Sequence, residues 1–205
     1  MSKNKIILSI VIICIFILGF FVGRIDYDKL PKAELSEGLR GEYGIDNLNK
    51  LLQDTFNPKD PDKIEKSVGS LIFRENDKIL QLKNRPSDDV YNGDIGILEE
   101  IDLTQKCFLI NYQNTYVLYN YDELDEISLA YALSVHKSQG SEYQVVYFIM
   151  NRSNMYMLNK KLIYTAISRA KTKLTIIAEE SVFKEGIRHM LKTRNTSLKQ
   201  RLMEN

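Results

Sequence analysis

The stretch "YQVVYFIM" at 143–150 constrains the fold most, being a nearly continuous apolar run of strand length, as expected for a strand buried on both faces. "KLTIIAE" at 173–179 has the same character. Between them "LNKKLIYTAISRAK" at 158–171 sets Leu162, Ile163, Ala166, Ile167 and Ala170 on one helical stripe. Strand, helix and strand in that order make a βαβ unit, because parallel neighbours need a crossover that covers one face of the sheet. A last helix from Ser181, "SVFKEGIRHMLKT", keeps Val182, Ile187 and Leu191 toward that sheet.

Upstream the period changes. "SLIF", "KILQLK", "DIGILEEID", "KCFLINY" and "TYVLYNY" are short runs separated by Asn, Gly, Asp and Pro, and they predict a small antiparallel barrel over 69–120. Before it, "GIDNLNKLLQDTFNP" spaces Ile45, Leu48, Leu51, Leu52 and Phe56 as a helix, with Asp46 as N-cap and Asn57-Pro58 as the stop.

The N-terminus reads differently again. "IILSIVIICIFILGFFVG" at 6–23 is uncharged over 18 residues, the lower limit for a helix that crosses a ~30 Å hydrocarbon core. A membrane helix is the expectation, uncleaved because bulky residues stand where a signal peptide needs small ones. The following basic residues, Arg24, Lys29, Lys32 and Arg40, orient the body weakly toward the cytoplasmic side. The alternative is a buried strand, although strands seldom exceed ~10 residues. Residues 24–43 then form a linker and 196–205 a tail.

At 205 residues the chain has room for one ordinary domain plus an insertion, and a net charge of +1 gives no global field for nucleic acid. Cys14 and Cys107 have no metal-ligand spacing.

Chemistry concentrates in "HKSQGSEY" at 136–143, a polar loop just before a buried strand, where α/β proteins gather phosphates and nucleotides. Gly140 lets a ligand approach the backbone, and Ser138, Gln139 and Ser141 offer neutral donors to a phosphodiester. His136 can donate or stack, and Glu142 can accept from a ribose hydroxyl. Arg169, near the end of the helix, has the planar, permanently charged fork suited to a transferred γ-phosphoryl group. Its structural alternative is a surface cation at a helix terminus.

"LAYALSVHKSQGSEYQVVYFIM" and "LIYTAISRAK" resemble motifs V and VI of superfamily 1 DNA helicases, most of all the RecD-like branch. "GIDNLNKLLQ" and "KILQLKN…VYNGDIGIL" look like the segments that begin its second motor domain and inserted SH3-like barrel. The resemblance implies an α/β fold: a partial RecA-like, P-loop NTPase type parallel sheet, split between 44–68 and 121–195 around the barrel, here preceded by the hydrophobic helix. It implies DNA contacts at His136, Lys137, Ser138 and Gln139, and nucleotide contacts at Gly140, Glu142 and Arg169, with Arg169 as the arginine finger. Arg40 in "GLRGEYG" falls where a basic residue often precedes the family's helix, and Tyr164 and Thr165 fall in packing or supporting positions.

The chain departs from the family where phosphate is held. It has no G-x-x-x-x-G-K-[ST] loop and no acidic pair for Mg²⁺. The expectation is the C-terminal half of an ATP-dependent 5′-to-3′ helicase, inactive alone, taking ATP and Mg²⁺ only when completed by a separate first motor domain. Single-stranded DNA is the expected partner, bound weakly with help from Lys160, Lys161, Lys171 and Lys173. Because the DNA-facing groups lie in the loop, loss of Arg169 should leave DNA affinity nearly intact. The competing class is a non-enzymatic module at the membrane that binds single-stranded DNA or a protein, or a remnant of a truncated helicase gene.

Overall fold

The computed structural model describes residues 44–113, 115–189 and 203, and the backbone of 11–15. Strand β1 is Val11–Ile15, helix α1 Gly44–Phe56, and strands β2 Glu65–Val68 and β3 Leu71–Arg74 form a hairpin. Strands β4 Lys78–Gln81, β5 Ile95–Asp102, β6 Cys107–Tyr112, β7 Thr115–Asn120 and β8 Ile127–Leu129 make an antiparallel sheet in the order β7-β6-β5-β4-β8. Strands β9 Leu133–Ser134 and β10 Tyr143–Ile149, helix α2 Lys160–Ile167, strand β11 Ala170–Ile177 and helix α3 Glu180–Arg188 complete the order. A second sheet runs β11-β10-β1-β9, in which β10 and β11 are parallel.

The expected βαβ unit is therefore present as β10, α2 and β11. From Val145 to Ile149 every residue of β10 is buried, and strand alternation sends its side chains into two different cores. Val145, Tyr147 and Ile149 join Leu48 and Leu52 of α1 and the barrel interior around Phe73, Leu98, Phe108 and Val117. Val146 and Phe148 join Leu158, Leu162, Ile163 and Ala166 around α2, together with Val182 of α3.

All five expected barrel segments form strands, but their pairing differs. β3 pairs with β2 rather than entering the five-stranded sheet, and the place beside β4 is taken by β8, beyond residue 120. The "EKSV" sequence of β2 has little apolar alternation, so only pairing with β3 makes it a strand. A bulge between Leu98 and Glu100 bends β5.

Buried polar groups tie α1 to everything around it. The Asn49 amide pairs with the Ala132 backbone on both sides, donating to its carbonyl at 3.1 Å and accepting from its N–H at 2.8 Å. Asp77, fully buried, accepts from Gln53 Nε2 at 2.5 Å, Asn57 Nδ2 at 2.8 Å, Tyr131 OH at 2.9 Å and the Arg74 N–H at 2.7 Å. Burial nonetheless pushes the Asp77 carboxyl above its usual range, against the lowering effect of those four bonds. Arg74, also buried, donates to the Asn57 carbonyl and pairs with Glu65 at 2.5 Å, which holds the Glu65 carboxyl below its usual range.

The N-terminal segment needs correction. Of the expected membrane helix at 6–23, the described part, β1, is a strand antiparallel to β10 (Val11↔Ile149 through Ile15↔Val145) and to β9. Val11, Ile12, Ile13 and Ile15 are β-branched, and β10 has a free edge that needs a partner; both favour a strand over a helix. Among the described residues no helix is long and apolar enough to cross a membrane. The rest of 6–23, the linker 24–43 with Arg40, and the tail except Met203 lie outside the described residues.

Two outcomes follow. Removing residues 1–24 should uncover the edge of β10 and lower unfolding stability by on the order of 2–4 kcal/mol through lost ladder bonds and burial; an unchanged melting curve would show that the sheet does not need β1. Asp77→Asn puts an amide donor against four donors and should cost about 2–3 kcal/mol in chemical denaturation, whereas a loss under about 0.5 kcal/mol would deny Asp77 this structural weight.

Candidate nucleotide and single-strand site

The loop from Val135 to Glu142 leaves β9 and enters β10, and Arg169 immediately precedes β11. Both therefore lie at the amino edge of the parallel pair, not at the carboxyl ends where open α/β sheets usually bind ligands. They meet because parallel neighbours start side by side: Tyr143 is in register with Ala170.

Within the loop the candidate residues separate into two groups. His136, Lys137, Gln139 and Gly140 are exposed. Ser138 is fully buried, and its hydroxyl donates to the Val135 carbonyl at 2.8 Å while its N–H reaches the Ser134 carbonyl at 3.1 Å. In this geometry Ser138 shapes the loop, while the exposed members face outward. Gly140 has φ +88° with open space where a Cβ would stand, so the backbone conformation itself calls for glycine.

The barrel contributes one wall. A Cβ on Gly93, in the "YNGD" turn, would lie 3.9 Å from the Lys137 carbonyl, so the turn packs against the loop. Lost hydration lowers the pKa of the Lys137 ammonium, with the Asp46 carboxylate at the start of α1 acting in the opposite direction.

Arg169 is half-buried and engaged. Nε donates to the Thr165 carbonyl at 3.2 Å, Nη1 to the Ser141 carbonyl at 2.9 Å and Nη2 to Ser168 Oγ at 3.0 Å. Of five guanidinium N–H groups this leaves two for a ligand, on a fork whose orientation is already fixed. Glu142 is exposed and ion-paired with Lys171 at 3.1 Å. The Thr165 carbonyl accepts from Arg169 Nε, a backbone contact that any residue there could make, while the Thr165 hydroxyl donates to the Lys161 carbonyl. Tyr164 is 73% exposed, so it has no packing role within the described residues.

Comparison with known proteins matches two parts of the chain to helicase domains. Residues 48–112 match the ATP-dependent RecD-like DNA helicase SH3 domain, and residues 129–177 match the UvrD-like helicase C-terminal domain. The chain corresponds to the C-terminal region of RecD-like helicases. It is 29% identical over 163 residues to the ATP-dependent RecD2 DNA helicase of Deinococcus radiodurans, covering 80% of this chain and 22% of that protein. It is 31% identical over 156 residues to the RecBCD enzyme subunit RecD of Buchnera aphidicola, covering 70% of this chain and 24% of that one. The chain thus spans about a quarter of the length of these curated relatives. Among solved structures, a Bacteroides Pif1 helicase in complex with ADP-AlF3 and ssDNA covers 77% of this chain and 42% of its own at 16% identity, with a TM-score of 0.47.

RecD-like relatives described as ATP-dependent raise the question of whether these residues fit ATP. They fit one side of it. Glu142 offers an exposed acceptor and Arg169 two free donors, but the sequence has no glycine-rich phosphate loop, and among the described residues no three His, Cys, Asp or Glu side chains cluster to hold a metal. Sequence reasoning put Arg169 inside a helix running to 171, whereas the helix ends at Ile167 and Arg169 stands between it and β11; it also missed the burial of Ser138 and the adjacency of the "YNGD" turn, for which "NG" before a strand was the available signal.

Ser138→Ala should cost about 1 kcal/mol of unfolding free energy, the worth of one buried hydrogen bond, as measured in urea. A side chain serving DNA alone would leave stability unchanged and lower only affinity.

Proposed function

We propose that this chain acts as the second motor half of a RecD-like, ATP-dependent 5′-to-3′ DNA helicase. In this reading His136, Lys137 and Gln139 contact the backbone of single-stranded DNA, Glu142 accepts from the nucleotide ribose, and Arg169 presents its two free N–H groups to the γ-phosphoryl oxygens. The observation that carries the reading is the meeting of the loop and Arg169 at one edge of β10 and β11, with the guanidinium fixed by three hydrogen bonds. A preorganised cation of this kind stabilises charge that spreads over the transferred group without reorganising at the moment of reaction.

The phosphate cradle and Mg²⁺ site belong to a first motor domain that this chain completes, so the chain alone turns over no ATP. ATP supplies the free energy of unwinding when held between the two domains. Weak DNA binding fits the local charges: Lys160, Lys161, Lys171 and Lys173 are exposed, but Lys171 is already paired with Glu142. Each free lysine can release about one counterion from a strand, which makes the affinity salt-sensitive.

The test supplies a first motor domain from a RecD-like relative, in trans or by fusion. DNA-stimulated ATP hydrolysis should appear only in the composite, and Arg169→Ala should lower it by roughly 10³- to 10⁵-fold. Arg169→Lys should recover little of the rate, since a point charge lacks the fork. Turnover by the chain alone, or an Arg169→Ala composite as fast as the parent, would overturn the assignment.

A further inference from the structure

We infer that Arg169 is, besides its role toward phosphate, the positioning residue of the single-strand loop, so that one side chain serves both ligands. This inference rests on the DNA-binding reading of the loop. Three consecutive residues at the loop's exit are each tied to the segment 169–171. The Ser141 carbonyl accepts from Arg169 Nη1 at 2.9 Å, the Glu142 carboxylate pairs with Lys171 at 3.1 Å, and the Tyr143 N–H donates to the Arg169 carbonyl at 2.8 Å. Arg169 therefore holds the loop from its side chain and from its backbone, on both sides of Glu142.

At its entry the loop is fixed by the buried Ser138 hydroxyl. Between the two anchors stand only Gln139 and Gly140, both exposed, and Gly140 is conformationally free with nothing within 4 Å of its Cβ position. The Ser141 N–H reaches back to the Ser138 carbonyl at a long 3.3 Å, a weak closure by itself. The path of Gln139 and Gly140 is then set by where Ser141 is held, whereas His136 and Lys137 lie on the entry side of the Ser138 anchor. The charge-assisted bond from Arg169 is the strongest of those contacts. This reverses the expectation from sequence that Arg169 can be lost without cost to DNA affinity.

The experiment measures binding of the full chain to a labelled oligothymidylate at low salt, for the parent, Arg169→Gln, Arg169→Lys, Gln139→Ala and the Arg169→Gln/Gln139→Ala double variant. Arg169→Gln should weaken binding about 3- to 10-fold and Arg169→Lys by less, since the ammonium keeps one charged donor for the Ser141 carbonyl. The double variant should lose little more than Gln139→Ala alone, because a residue that acts by positioning Gln139 is not additive with it. Equal affinity of Arg169→Gln and the parent, or fully additive losses, would overturn the inference; additivity would mean that Arg169 meets the DNA itself. Amide exchange across 138–144 provides the second readout: Arg169→Gln should speed exchange in that segment and leave the barrel unchanged, and no local change overturns the inference. If the parent binds no oligonucleotide, the DNA-binding reading fails, and the exchange result still decides whether Arg169 holds the loop. If Arg169→Gln does not fold, Arg169→Lys is read in the same exchange experiment by the same criterion.

Discussion

A strand buried on both faces imposes two debts on the chain that contains it, since each face needs its own apolar cover. In β10 the side chains of Val145, Tyr147 and Ile149 take theirs from α1 and the barrel, and those of Val146 and Phe148 from α2 and α3. The barrel is thus no appendage: its interior and the cover of one sheet face are a single core. That continuity brings the "YNGD" turn against the Lys137 carbonyl and gives the site a wall from a segment more than forty residues upstream.

Apolar burial alone would let α1 slide over that core, because hydrophobic contact is non-directional. The polar groups inside it are directional. Asn49 reads the Ala132 backbone as a strand neighbour would, and Gln53 and Asn57 converge on Asp77 at the turn before β4. Taking Asp77 out of water costs free energy, as its raised pKa indicates, and the four donors offset that cost only in one register of helix against hairpin. Through Ala132, one residue before β9, the same register fixes where the functional loop begins.

What the sequence disclosed follows from which interactions are local. Two apolar runs around an amphipathic helix specify β10, α2 and β11 because periodicity is a property of neighbouring residues. Strand partners are not: nothing in "SLIF" says that it pairs with "EKSV" instead of "KILQ", nor in "ISL" that it completes the five-stranded sheet. The segment 6–23 shows the limit of hydrophobicity as a signal, since an uncharged run suits lipid and a sheet interior equally, and β-branching with an open edge on β10 places Val11–Ile15 in the sheet. Asp77 reads as an ordinary turn residue in "RENDK", and Ser138 as one more polar loop member; only the fold reveals that both are buried.

The motif residues were legible as types and their division of labour was not. A loop for DNA and an arginine for phosphate look like separate devices when they stand almost thirty residues apart in the chain. Parallel pairing cancels that separation, for the start of β10 must lie beside the start of β11, and whatever precedes the two strands must share space. An arginine there has five N–H donors, and one of them reaches the Ser141 carbonyl in the loop that enters the adjacent strand. On the proposed reading, coupling between nucleotide and single strand therefore needs no lever arm or domain rotation within this chain. It arises from the register of two parallel strands and from a guanidinium that has two directions in which to donate.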